Sequence, residues 1–156
     1  MVMRWFTRAW HDGDLSDADF GAAIDGYQHH LADLTASSPS DVAALADLYL
    51  HDAQVQSWTF DEGRFAWRLL IGDLQRGYQM ADIAYHETEL LGVDRAGLQG
   101  GMKLDRTAAD LLSDEIDRGP DARFEHRFFF WPDREFGIRF TRVELTMTEA
   151  SGTARR

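Results

Sequence analysis

The run QSWTFDEGRFAWRLLI, Gln56 to Ile71, decides the fold. Gln56, Trp58 and Phe60 share one parity, and Phe65, Trp67, Leu69 and Ile71 fall on alternate positions after them. A period of two is that of a strand with one buried face. Asp61-Glu62-Gly63 stands between the two runs, with glycine where a tight turn asks for a left-handed residue. The stretch therefore predicts a β-hairpin.

The same rhythm extends downstream. Gly72 to Gly77 reads as a second turn, and Tyr78 to Glu87 places Ala81, Ile83 and Tyr85 on one side. Residues 92 to 107 are glycine-rich and predict a loop with a helical turn. Leu111 to Arg118 fits either period and is read as a strand, ended by the turn Gly119-Pro120-Asp121. Phe124, His126, Phe128 and Phe130 alternate with Glu125, Arg127, Phe129 and Trp131, so this strand is aromatic on both faces; either helices cover one of them, the commoner case, or one aromatic pair is a binding surface. Pro132-Asp133-Arg134-Glu135 turns the chain again. Phe136, Ile138 and Phe140 are then even-numbered, whereas Val143, Leu145 and Met147 are odd. One face cannot bury both sets without an inserted residue, which predicts a bulge or bend at Thr141-Arg142.

Upstream the period is helical. Ser16 caps a helix whose first turn carries Asp17 and Asp19, and Phe20, Ile24, Tyr27, Leu31 and Leu34 form one stripe along it. Ser40 caps a second helix with Val42, Leu45 and Tyr49 on one face. The sum is an α+β domain over residues 1–150: two N-terminal helices on a mostly antiparallel, twisted sheet of five to six strands. Residues 151–156 are expected to form a disordered tail.

With 156 residues, 44% of them hydrophobic and 12% aromatic, the chain is long enough to bury a core without staples. Its formal net charge of −11 opposes the phosphate neutralisation that nucleic acid requires and disfavours an anionic membrane. It favours attraction of a basic protein partner, or serves solubility alone. The absence of cysteine removes disulfides and thiolate chemistry. No run approaches membrane-spanning length, so a cytoplasmic protein is expected.

Candidate chemistry is sparse. Leu50-His51-Asp52-Ala53 places an imidazole beside a carboxylate at the helix-to-strand junction, and His86, His126 and the Asp114-Glu115 pair lie on strands. If His51, Asp52, His86, Glu115 and His126 met in one cleft, they would suit a divalent-metal hydrolase. Nothing in their spacing demands it, and His126 shares parity with three phenylalanines, as a hydrogen-bonded core histidine would. His29 and His30 are adjacent on a helix and diverge, so they do not chelate one ion. No nucleophile elbow and no phosphate-binding loop is present. No cofactor or metal is assigned from sequence.

Trp5-Phe6-Thr7-Arg8-Ala9-Trp10, Leu50-His51-Asp52-Ala53, Gly77-Tyr78, Phe124-Glu125-His126-Arg127 and the segment from Phe136 to Thr146 resemble a family of small uncharacterised bacterial proteins of about this length. That resemblance implies no activity and carries no catalytic residue. The His-Asp-then-strand layout is also similar to bacterial immunity-type domains, an analogy at the level of fold. The expected role is a non-catalytic binding module for a basic protein or a small ligand, with metal-dependent hydrolysis as the alternative. A homodimer formed through an exposed edge strand or aromatic patch is a third expectation.

Overall fold

A computed structural model describes residues 2–102, 104 and 110–154. Three α-helices come first: α1 (Arg8–Asp12), α2 (Asp17–Ser37) and α3 (Ser40–Ala46). Eight strands follow: β1 (Ala53–Asp61), β2 (Arg64–Asp73), β3 (Gly77–His86), β4 (Glu89–Leu91), β5 (Asp110–Arg118), β6 (Phe124–Phe130), β7 (Arg134–Phe140) and β8 (Arg142–Ala150). The architecture is α+β and every strand pair is antiparallel, in the order β4-β7-β6-β5-β1-β2-β3-β8.

Eight strands replace the expected five to six, and the reason lies in two corners. Only Glu87 and Thr88 separate β3 from β4, and only Thr141 separates β7 from β8. The register passes through both corners unchanged: His86 pairs with Arg142, and Glu89 pairs with Arg139. β3 and β4 are thus one long strand bent in the middle, as are β7 and β8. Their shared ladder turns a corner and links the two margins of the sheet. The parity switch from Phe140 to Val143 sits at the bend the sequence predicts there, and both residues are buried. Six continuous strands, two of them bent, make a closed roll of two face-to-face layers, β1-β2-β3-β8 and β4-β7-β6-β5. Strands that change layers at a bend are the usual way to make such corners.

The core lies between the layers. Trp67 packs edge-on against Phe128 at 4.7 Å, Tyr85 against Phe140 at 5.1 Å, and Phe130 stacks on Phe136 at 5.7 Å. Aromatic pairs in these geometries add stability beyond the area they bury. Phe65, Trp67, Leu69 and Ile71 all point inward, as the hairpin alternation predicts. α3 lays Val42 and Leu45 into this core, and its Asp41 Oδ2 accepts the N–H of Val143 at 3.1 Å on the outer edge of β8.

The helices differ from expectation in three ways. A five-residue helix, α1, precedes the two expected; Thr7 caps it and Gly13 closes it in the left-handed conformation (φ 76°). It is too short to show a periodic stripe. Ser40 is the first residue of α3 and not its cap, a position Pro39 holds. Tyr49 lies beyond α3 and is exposed, not packed on its face. The cover expected for the second aromatic face is only partial: His11 of α1 stacks on Phe129 with ring centroids 4.3 Å apart, whereas Trp131 stays exposed. Where a tail is expected, a 3-10 turn at Gly152–Ala154 follows β8; residues 155 and 156 lie outside the described residues. So do residues 103 and 105–109 of the glycine-rich loop, which otherwise carries a π-helical turn at Gly97–Met102. Among the described residues no helix is long and apolar enough to cross a membrane.

Candidate functional site

The roll has one weak seam. β1 and β5 share two residue pairs, Ala53 with Leu111 and Gln54 with Asp110, and then part. A bulge in β5 between Leu111 and Ser113 marks the parting. The freed edge of β5 must find other hydrogen-bond partners, and side chains supply them. His51 Nδ1 donates to the carbonyl of Leu112. Tyr27 Oη accepts the N–H of Ile116 at 2.9 Å, and His30 Nε2 donates to the Ile116 carbonyl at 2.9 Å. α2 takes the place of a strand, bonding to β5 through side chains and not through its backbone.

Side chains reach further than a strand would, so a cleft of about 520 Å³ opens between α2 and β5. Ile24, Tyr27 and Leu31, three members of the apolar stripe, line it instead of entering the core, with Phe6, Trp10, Leu48 and Tyr49 around them. Phe6 meets Trp10 at 5.0 Å and Tyr27 at 5.1 Å, and Trp10 stacks on Phe20 at 4.5 Å. Most of the lining is aromatic or aliphatic; its polar groups include Gln28, His11, His51, Ser113, Asp114 and the hydroxyls of Tyr27 and Tyr49.

Two polar constellations touch the cleft. In the first, Asp114 Oδ2 lies 2.7 Å from His126 Nε2, and His126 Nδ1 lies 2.9 Å from Tyr85 Oη. A carboxylate can only accept, so Nε2 carries a proton and donates to Asp114, while Nδ1 shares a hydrogen bond with the Tyr85 hydroxyl. His126 and Tyr85 are fully buried, whereas the Asp114 side chain is 17% exposed. Burial and the negative charge of Asp114 push the Tyr85 phenol well above its ordinary range. The chain Tyr85–His126–Asp114 thus runs from the core to the cleft and ends there as a carboxylate. In the second constellation, His11 Nε2 lies 2.8 Å from Ser113 Oγ. Burial lowers the affinity of His11 for a proton; the Asp12 charge opposes this and the neighbouring His51 adds to it. A neutral imidazole beside a hydroxyl has the geometry of a base and its nucleophile. No group among the described residues holds the other nitrogen of His11, however, so the pair lacks the orienting partner that such catalysis uses.

The five residues marked from sequence do not gather. His51 and Asp52 approach one another at 3.5 Å on the rim. His126 faces the interior, paired with Ile116, while its strand neighbours Glu125 and Arg127 face outward. Glu115 lies on that outer face, where it binds the backbone N–H groups of Arg4, Trp5 and Phe6 and pairs with Arg127 at 3.2 Å. His86 sits at the corner before β4, beside Glu144 at 3.5 Å. Among the described residues no three His, Asp or Glu side chains are placed to hold a metal ion. Sequence reading missed Asp114 as the terminus of a buried chain, and missed Tyr27 and Tyr85 as its polar neighbours; His126 amid phenylalanines was the signal available.

The cleft also draws most of its lining from an acidic stretch of the chain. Residues 9–63, which contain all of α2 and α3 and the His51 rim, hold eleven carboxylates and neither Lys nor Arg. The remaining residues balance sixteen acids against sixteen bases, so this one segment carries the whole formal charge of −11.

No family model matches the chain, and neither a curated protein nor a solved structure is significantly similar to it.

Proposed function

We propose that the chain is a binding domain for a small, largely apolar ligand, held in the cleft between α2 and β5. The observation that carries this reading is the fate of the α2 stripe. Ile24, Tyr27 and Leu31 have the spacing of a core-facing helix, yet they wall an open cleft of about 520 Å³. An apolar concavity with a few convergent polar groups is the usual form of a small-molecule site. Binding fits better than catalysis because the His11–Ser113 pair has no orienting group, and because His30, His51 and His126 are engaged in holding backbone and core.

Uptake of the neutral, apolar dye Nile red tests this. The wild-type chain is expected to bind it with a saturable fluorescence increase. Leu31→Trp, which puts a large ring into the cleft, is expected to abolish the increase. Equal uptake by both proteins would show that the dye sits elsewhere and would remove the cleft as the working site.

A further inference from the structure

The chemistry of the cleft floor points to a class of ligand, an inference that rests on the small-ligand reading above. We infer that the cleft selects a protonated amine carried on an aromatic or alkyl skeleton. Three observations converge on it.

The first is Asp114. One of its oxygens accepts from His126 Nε2, whose ring is held on its other side by Tyr85. Its second oxygen has no hydrogen-bond partner among the described residues. No Lys or Arg lines the cleft to neutralise it. A charge withdrawn from water calls for an opposite charge. The second observation is the backbone at the same residue. Ile116 turns both its N–H and its C=O away from β6 toward α2. Alternation along a strand aims those of Asp114 the same way, into the cleft. A carboxylate oxygen and a carbonyl oxygen side by side are two acceptors for one ammonium group, which has three donors. The third is the wall. Phe6, Trp10 and Tyr27 present ring faces and edges to the space above Asp114, and a cation near aromatic faces is attracted to them. The formal net charge of −11 favours the approach of a cation over that of an anion before any contact is made.

Three ligands of one skeleton test the inference: 4-phenylbutylamine, 4-phenylbutan-1-ol and 4-phenylbutyrate, titrated into the intact protein by calorimetry. The amine is expected to bind at least about tenfold tighter than the alcohol, and the carboxylate not to bind. Asp114→Asn keeps an acceptor for His126 and is expected to bring the amine down to the affinity of the alcohol. Leu31→Trp is expected to exclude all three. If the wild-type protein binds the alcohol as well as the amine, the charge selection is wrong and the small-ligand reading stands. If none of the three binds and Nile red is also refused, both fall. The comparison of amine with alcohol needs no variant, so an Asp114→Asn protein that fails to fold leaves the inference open to refutation.

Discussion

Arg127 shows what a single buried charge does here. It lies on the outer face of β6 and pairs with Glu115 at 3.2 Å and Asp117 at 3.0 Å, with Glu125 3.6 Å away. The N-terminal segment roofs it: Trp5 lies 5.7 Å from the guanidinium, and Glu115 accepts the backbone N–H groups of that segment. The Glu115 side chain is fully buried. Arg127→Met therefore strands carboxylates in a dry site, and a loss of about 3–5 kcal/mol is expected. The urea midpoint measures it. Hydrogen exchange at residues 4–6 is expected to rise in the same variant, because Glu115 is their shared acceptor. None of this was visible in the sequence, where Arg127 reads as one polar residue on a mixed face. Its partners lie in β5 and at the other end of the chain, and parity reports a face without reporting what covers it.

At the scale of elements, the hairpins are the most legible parts, because turn chemistry and alternation agree in each. The β2–β3 turn leaves no room for a side chain at its first glycine. Gly72 has φ +99°, and a Cβ there would lie 2.0 Å from the Gly77 carbonyl oxygen. Gly72→Ala is expected to cost at least about 1–3 kcal/mol through backbone strain, again read as a urea midpoint. The strand Leu111 to Arg118 is also legible, although its period was ambiguous: it is β5, and the bulge beside Ser113 explains why no clean alternation ran through it. The bend near Thr141 follows from parity alone. The closure of the roll does not, since nothing in the alternation of Tyr78 to Glu87 announces that two further residues carry the strand round a corner. The candidate site was less legible than the fold. The α2 stripe has the same spacing whether it packs on a core or walls a cleft, and only the parting of β1 from β5 decides between them.

At the scale of the whole molecule, stability is bounded on both sides of neutrality. Below neutral pH, His11 matters: its proton affinity is lowered in the folded state, so the unfolded chain binds the extra proton first. Stability contributed by neutral His11 is present above its ordinary value of 6.5 and is lost as pH falls below it. Loosening of α1 from Phe129 and Ser113 is the expected early event, seen as new exchange at residues 8–12 before global unfolding. Above pH 10, Tyr27 and Tyr85 take over. Both are raised, chiefly by burial and further by the Asp114 charge, so the folded state keeps protons that the unfolded state gives up. Their contribution is complete below 10 and disappears as pH climbs beyond it. Tyrosinate absorbance appearing together with loss of circular dichroism would bear this out; ionisation of these two phenols well before unfolding would contradict it. The corner ladder has a further consequence, for assembly in time. β3 cannot gain its second neighbour until β8 has been made, and Leu111 must arrive before β1 has any partner across the seam. A nascent chain emerging from the ribosome therefore displays the paired, half-finished β1-β2-β3 layer, its apolar side bare, while the segment from Glu87 to Ala150 is still being made. Such long-range closure folds slowly and leaves sticky intermediates, which makes this protein a natural client for a holding chaperone during translation.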